Sequence, residues 1–252
     1  MTNADTTGRD PGEHLTLIDG KIHGEYRRTD ARGVLVQRAS FDHGALHGSV
    51  EIYDENTGRL LQALHYHHGR LHGLATSYDE HVRPRQRLNF AGGLKQGEAL
   101  SFDENGAVQM RQSFIDDELT GPAINYWPNG HVSREATYRG GLLEGEVRVY
   151  DEQGQLLQTA LYQEGELDGT AEAFYASGKT RQRMSYRKGL VDGVAEEFHE
   201  NGNLRVRMHY AAGKLTREIE LFDERGRPSR PKPPRSGLRA LLGLDDKEPS
   251  KG

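Results

Sequence analysis

The chain has 252 residues, a formal net charge of -5, 34% hydrophobic residues and no cysteine, with a mean hydropathy of -0.81. So polar a chain lacks the apolar mass for one thick globular core, and without thiols it has neither a disulfide framework nor a thiolate metal site. The acidic balance argues against nonspecific DNA binding, which needs a concentrated positive face, so no nucleic-acid partner is expected. Residues 1–14 carry Gly, Asp, Thr and Pro without periodicity and are expected to be a disordered N-terminal arm. They hold no apolar run of signal-peptide length, and no segment approaches the roughly 20 apolar residues of a membrane-spanning helix. The expectation is a soluble, cytoplasmic protein.

From residue 15 to 226 one frame organises the chain. A glycine-x-x-x-glycine pentad begins at Gly20, Gly44, Gly69, Gly93, Asp117, Gly141, Gly165, Gly189 and Gly213, at intervals of 24 residues with a single interval of 25. Self-similarity this strict marks a repeat protein of nine units. The frame's second glycine recurs as Gly24, Gly48, Gly73, Gly97, Gly121, Gly145, Gly169 and Gly193, and these are read as structural turn glycines. Five residues later stands an aromatic column, from Tyr53 through Tyr78, Phe102, Tyr126, Tyr150, Phe174 and Phe198 to Phe222. A second column precedes each frame by three residues, from Phe41 to Tyr210, and the two together take 16 of the 19 aromatics.

Between the columns lies another turn, which in three units reads Asn-Gly, a hairpin signal because both residues accept positive φ. The segments between turns are too short for independent helices and suit strands. Each unit is therefore strand, Asn-Gly turn, strand, frame turn. The extra residue of the 25-residue interval falls between Tyr53 and Gly58, inside a turn, where it leaves strand faces unflipped. Val82 replaces a turn glycine, and since β-branched residues resist left-handed conformations a distorted turn is expected there. The fold class is all-β: nine tandem hairpin repeats in one elongated, twisted antiparallel sheet, with the aromatics stacked along one side. Residues 227–252 follow as a Pro/Arg-rich linker and a short amphipathic tail, in which Leu238, Leu241 and Leu242 have helical spacing.

These glycine-framed, tyrosine-centred hairpins resemble MORN (membrane occupation and recognition nexus) repeats, in the variant form of bacterial antitoxin-type proteins. The resemblance spans about residues 15–226. The single tryptophan, Trp127, separates the chain from the tryptophan-rich eukaryotic form. What the resemblance implies is binding and neutralisation of a cognate toxin or effector protein. The alternative is a membrane-associated scaffold that binds anionic lipids or other proteins.

Two rows are candidate partner-binding residues. The position before the second glycine changes along the chain from His23, His47 and His72 to Glu144, Asp168 and Asp192, a graded edge that a basic partner could read in one orientation. Arg87, Arg111, Arg183 and Arg207 hold equivalent strand positions; the row either grips an acidic partner or pairs with Glu and Asp across strands. Seven of the 12 histidines fall between residues 43 and 81. Equivalent turn positions stand about 9.6 Å apart, however, so His23, His47 and His72 cannot share one ion and at most two neighbours could; no metal or cofactor is expected. There is no nucleophile elbow and no phosphate loop, and a one-layer ribbon encloses no pocket, so no catalytic residue and no enzyme activity is expected.

Overall fold

The structure is a computed structural model and describes residues 5–7 and 12–229. Among these there is no helix, and 25 strands form one antiparallel sheet. Several of these are halves of one strand interrupted just before the frame's second glycine, such as Leu142–Leu143 and Gly145–Tyr150; in other units the strand is continuous, as in Ala45–Tyr53. Each strand bonds only to its neighbours along the chain, so the sheet stays open and every unit rests on the adjoining ones. Within the segment expected to be a disordered arm, Asp5–Thr7 pairs antiparallel with Glu13–Ile18, so the sheet begins earlier than the repeat frame does. At the other end Pro228–Ser229 pairs with Leu221 and Phe222, the last pairing among the described residues. The leucine-bearing tail beyond it lies outside the described residues.

The frame's first glycine belongs to a two-residue turn in which both residues are left-handed, for example His43 at φ 46° and Gly44 at φ 88°, closing Asp42 onto Ala45. This is the primed turn whose twist matches that of the strands it joins. The eight second glycines all have positive φ, between 81° at Gly24 and 124° at Gly169. They mark a bulge where one strand carries extra residues: Ala39 pairs with Val50 but Phe41 pairs with Leu46. At Gly169 the backbone conformation demands glycine, and a Cβ there would also push aside the Leu161 side chain, whose Cδ2 it would meet at 2.6 Å.

The Asn-Gly turns differ from the sequence reading. Gly106, Gly130 and Gly202 are left-handed, whereas Asn105, Asn129 and Asn201 are not. The loop is longer: Asp103 N–H donates to Ala107 O at 2.9 Å and Gly106 N–H to Asp103 O at 3.1 Å, so only the final residue needs positive φ. Val82 adopts the same turn undistorted, at φ 60°, with Val82 N–H on Asp79 O and Asp79 N–H on Arg83 O. The expected distortion is corrected: the hydrogen bonds hold the turn and Val82 carries the backbone strain. In the 25-residue unit the bonds run from Gly58 N–H to Asp54 O and from Asp54 N–H to Arg59 O, which places the extra residue in the turn.

One face is apolar. Its register runs Tyr26, Ala39, Val50, Leu64 at one end and Val147, Ala160, Ala171, Met184, Ala195, Met208 at the other. Ala39 and Ala195 are 0% exposed. The column from Phe41 to Tyr210 lies on this face, with Tyr186 and Tyr210 hydroxyls directed at the Met184 and Met208 sulfurs. The other aromatic column lies on the opposite face, where Tyr53 Oη donates to Glu51 and Arg87 sits 5.3 Å over the Phe102 ring. The expectation of one stacked aromatic side is therefore corrected on two counts. Alternate strands stand about 9.6 Å apart, beyond the roughly 4.5–7 Å of ring pairs. An aliphatic residue of the intervening strand fills that gap, as Leu143 opposite Tyr138 and Leu167 opposite Tyr162.

Candidate functional site

The polar face carries one unbroken register row from Arg27 to Glu220. Each hairpin contributes in turn: Arg38 lies opposite Glu51, Thr76 opposite Arg87, Leu100 opposite Arg111, Glu135 opposite Arg148, Glu172 opposite Arg183 and Glu196 opposite Arg207. All four arginines singled out in the sequence fall on this row. Three of them are spent on carboxylates: Arg111 on Glu98 at 3.2 Å, Arg183 on Glu172 at 2.6 Å and Arg207 on Glu196 at 3.0 Å. Arg87 instead lies between uncharged Thr76 and Leu100 and rests on Phe102. Tyr53 and Tyr150 border the row, and each phenol is pushed up in pKa by burial and then by the carboxylate it donates to, Glu51 or Glu135.

Glu144, Asp168 and Asp192 lie on the row of frame turns, and they act inside the sheet edge as well as on it. Glu144 accepts the Glu164 N–H at 3.1 Å and Asp168 accepts the Lys188 N–H at 3.3 Å, each reaching the turn of the next unit. Gln96 does the same with Asp116 at 3.0 Å, and the histidines at the head of this row, His23 and His72, use Nδ1 for it at 3.5 and 3.4 Å. Asp192 pairs with Arg187 at 3.3 Å. Exposed Leu142 and Leu190 flank these acids.

The sequence reading missed a clamp on the opposite turn row. Where most units place Asp after the aromatic column, three place Trp127, Tyr175 and His199, and these side chains reach the next unit's backbone: Trp127 Nε1 to Tyr150 O, Tyr175 Oη to Phe198 O, and His199 Nε2 with Phe222 O, at 3.1, 2.6 and 3.1 Å. The signal was present as the shared position of the three residues. What it lacked was knowledge that the side chain points toward the next unit.

His47 meets histidines that the spacing argument did not weigh. His47 is 5.0 Å from His67 and 5.1 Å from His68, between ring centroids, and His67 is 4.2 Å from His68 and 5.5 Å from His72. Burial, followed by the charges of His68, His47 and His72, holds His67 below the usual imidazole range. Beside this group, His23 and His43 both approach the Asp42 carboxylate, at 3.4 and 2.6 Å.

The sheet faces carry shallow hollows: one of 40 Å³ over Ala160, Ala171 and Tyr186 on the apolar side, and an open one of 360 Å³ beside Glu135 and Arg148 on the polar side. Comparison with known proteins matches residues 119–139, 143–164, 167–188 and 191–212 to the MORN repeat variant. These four segments are consecutive units of the array. No curated protein matches the chain. Among solved structures, an alternansucrase in complex with isomaltononaose aligns over 87% of this chain and 18% of its own length, at 17% identity and a TM-score of 0.22.

Proposed function

We propose that the protein is a non-enzymatic binding module of the antitoxin or immunity type, which neutralises a cognate toxin or effector protein by covering it. The observation that supports this reading is the row from Arg27 to Glu220, a fixed charge pattern on an open sheet face. A sheet held by main-chain bonds presents such a pattern without an ordering cost on binding, which favours a macromolecular partner over a small ligand. Four matched MORN variant repeats agree with a binding role in general, and the toxin as partner rests on the resemblance drawn from the sequence alone. The proposed location is cytoplasmic, where such a partner would be intercepted.

Expression of the neighbouring open reading frame provides the test. Its product is expected to arrest growth alone and to be harmless beside this protein. Reversing Arg111, Arg183 and Arg207 together to glutamate is expected to weaken protection and slow association at low salt. A neighbour that is harmless alone, or flotation of this protein with anionic vesicles, would replace the reading with the lipid-scaffold alternative.

A further inference from the structure

The histidine cluster spans two turns that the repeat places side by side. His47 sits before the frame's second glycine, while His67 and His68 belong to the frame turn of the next unit. One ring nitrogen from each of His47, His67 and His68 lies within 4.8 Å of the other two. Nitrogens bound to a single tetrahedral ion at about 2.0–2.1 Å stand about 3.3 Å apart, so small rotations of exposed turn side chains close the set. His47 also departs from the rule of its row. His23 and His72 use Nδ1 to accept a backbone N–H from the following turn. His47 Nδ1 is shielded from solvent and has no hydrogen-bond partner. In place of that N–H, the rings of two adjacent histidines of the following frame turn, His67 and His68, stand 5.0 and 5.1 Å from the His47 ring. A shielded nitrogen acceptor facing two further imidazoles is the donor set that borderline divalent transition ions prefer.

We propose that His47, His67 and His68 form a binding site for one Zn²⁺-like divalent ion, with His72 beside His67 as the fourth position. The ion would tie two consecutive units together at the edge of the sheet, in the manner of a structural staple. This site is independent of any toxin partner.

The test uses the full-length chain without a polyhistidine tag, freed of metal and dialysed against Zn²⁺, with bound metal measured by elemental analysis and affinity by calorimetry. One ion per chain is expected, with a rise in melting temperature, and cobalt in its place should give the visible absorption of a tetrahedral site. His47→Ala and His68→Asn should each weaken binding at least about tenfold. Asparagine is chosen at 68 because it tolerates the left-handed backbone there, φ 48°, so the variant keeps its turn, as circular dichroism would verify. His131→Ala should bind as the parent does. Failure of the parent protein to bind Zn²⁺, unchanged binding in both cluster variants, or loss of binding in His43→Ala instead, which would move the ion to the Asp42 group, would each overturn the proposal.

Discussion

Asp79 shows how a single side chain holds a turn. Its Oδ1 accepts the N–H groups of His81 and Arg83, both at 2.9 Å, while Arg83 Nε reaches Oδ2. Burial raises its pKa, the carboxylate being only 7% exposed, but those donors and the guanidinium more than offset this and hold it at about 2. Asp30, Asp54 and Asp223, its counterparts in other units, are likewise held low, chiefly by the Val34 N–H, the Thr57 hydroxyl and the Arg227 N–H. Because the folded pKa lies below the unfolded value of about 3.9, the unfolded chain binds the proton more readily. The stabilisation is thus complete above pH 4 and fades as pH falls toward 2. Urea melts of the parent and Asp79→Asn across that window are expected to show a shallower pH dependence in the variant; equal slopes would show that Asp79 is not held low. The turns were legible in the sequence from their glycines, but the acceptor role of these aspartates was not, since it depends on main-chain N–H groups that sequence does not display.

At the scale of the element, turn chemistry fixes the register, and here the sequence was only partly legible. The glycine period located every turn. It assigned the doubly left-handed geometry to the Asn-Gly row, whereas the frame row has it, even with His43, His68, Glu164 and Lys188 at the first position. Those residues are poor predictors of such a turn, and they are held by a ladder of bonds to the previous unit, such as Gly44 N–H to Ile22 O and Gly165 N–H to Leu143 O, both within 2.9 Å. Tertiary context outweighs local preference there. Val82 is the opposite case, a β-branched residue held at φ 60° and 42% exposed. Val82→Gly is expected to stabilise the protein by about 1 kcal/mol, the cost of a left-handed L-residue less the added entropy of glycine in the unfolded chain. Chemical denaturation measures this, and a destabilised variant would show that the Val82 side chain packs favourably.

Across the whole molecule, alternation makes a thin sheet viable. The apolar row and the charged row are the two faces of the same strands, so one register serves burial on one side and recognition on the other. That two-faced pattern could be read from parity in Leu204, Val206 and Met208 against Arg205 and Arg207. The placing of the second aromatic column on the charged face could not, because the bulge beside each such residue, as between Ile52 and Tyr53, interrupts simple counting across the turn. The histidine cluster escaped because the spacing argument compared only the equivalent positions His23, His47 and His72, and not His47 with the differently placed His67 and His68 of the next frame turn.

A chain of such units depends on nearest neighbours alone, and its length is set by their number. Removal of residues 141–164, one full 24-residue period that rejoins Gly140 to Gly165 in the same turn, tests this most directly by small-angle X-ray scattering. The shortened protein is expected to stay cooperatively folded, with its longest dimension reduced by about 10 Å, two strand spacings. An unfolded chain, or a folded one of unchanged length, would contradict an open sheet built from interchangeable hairpins.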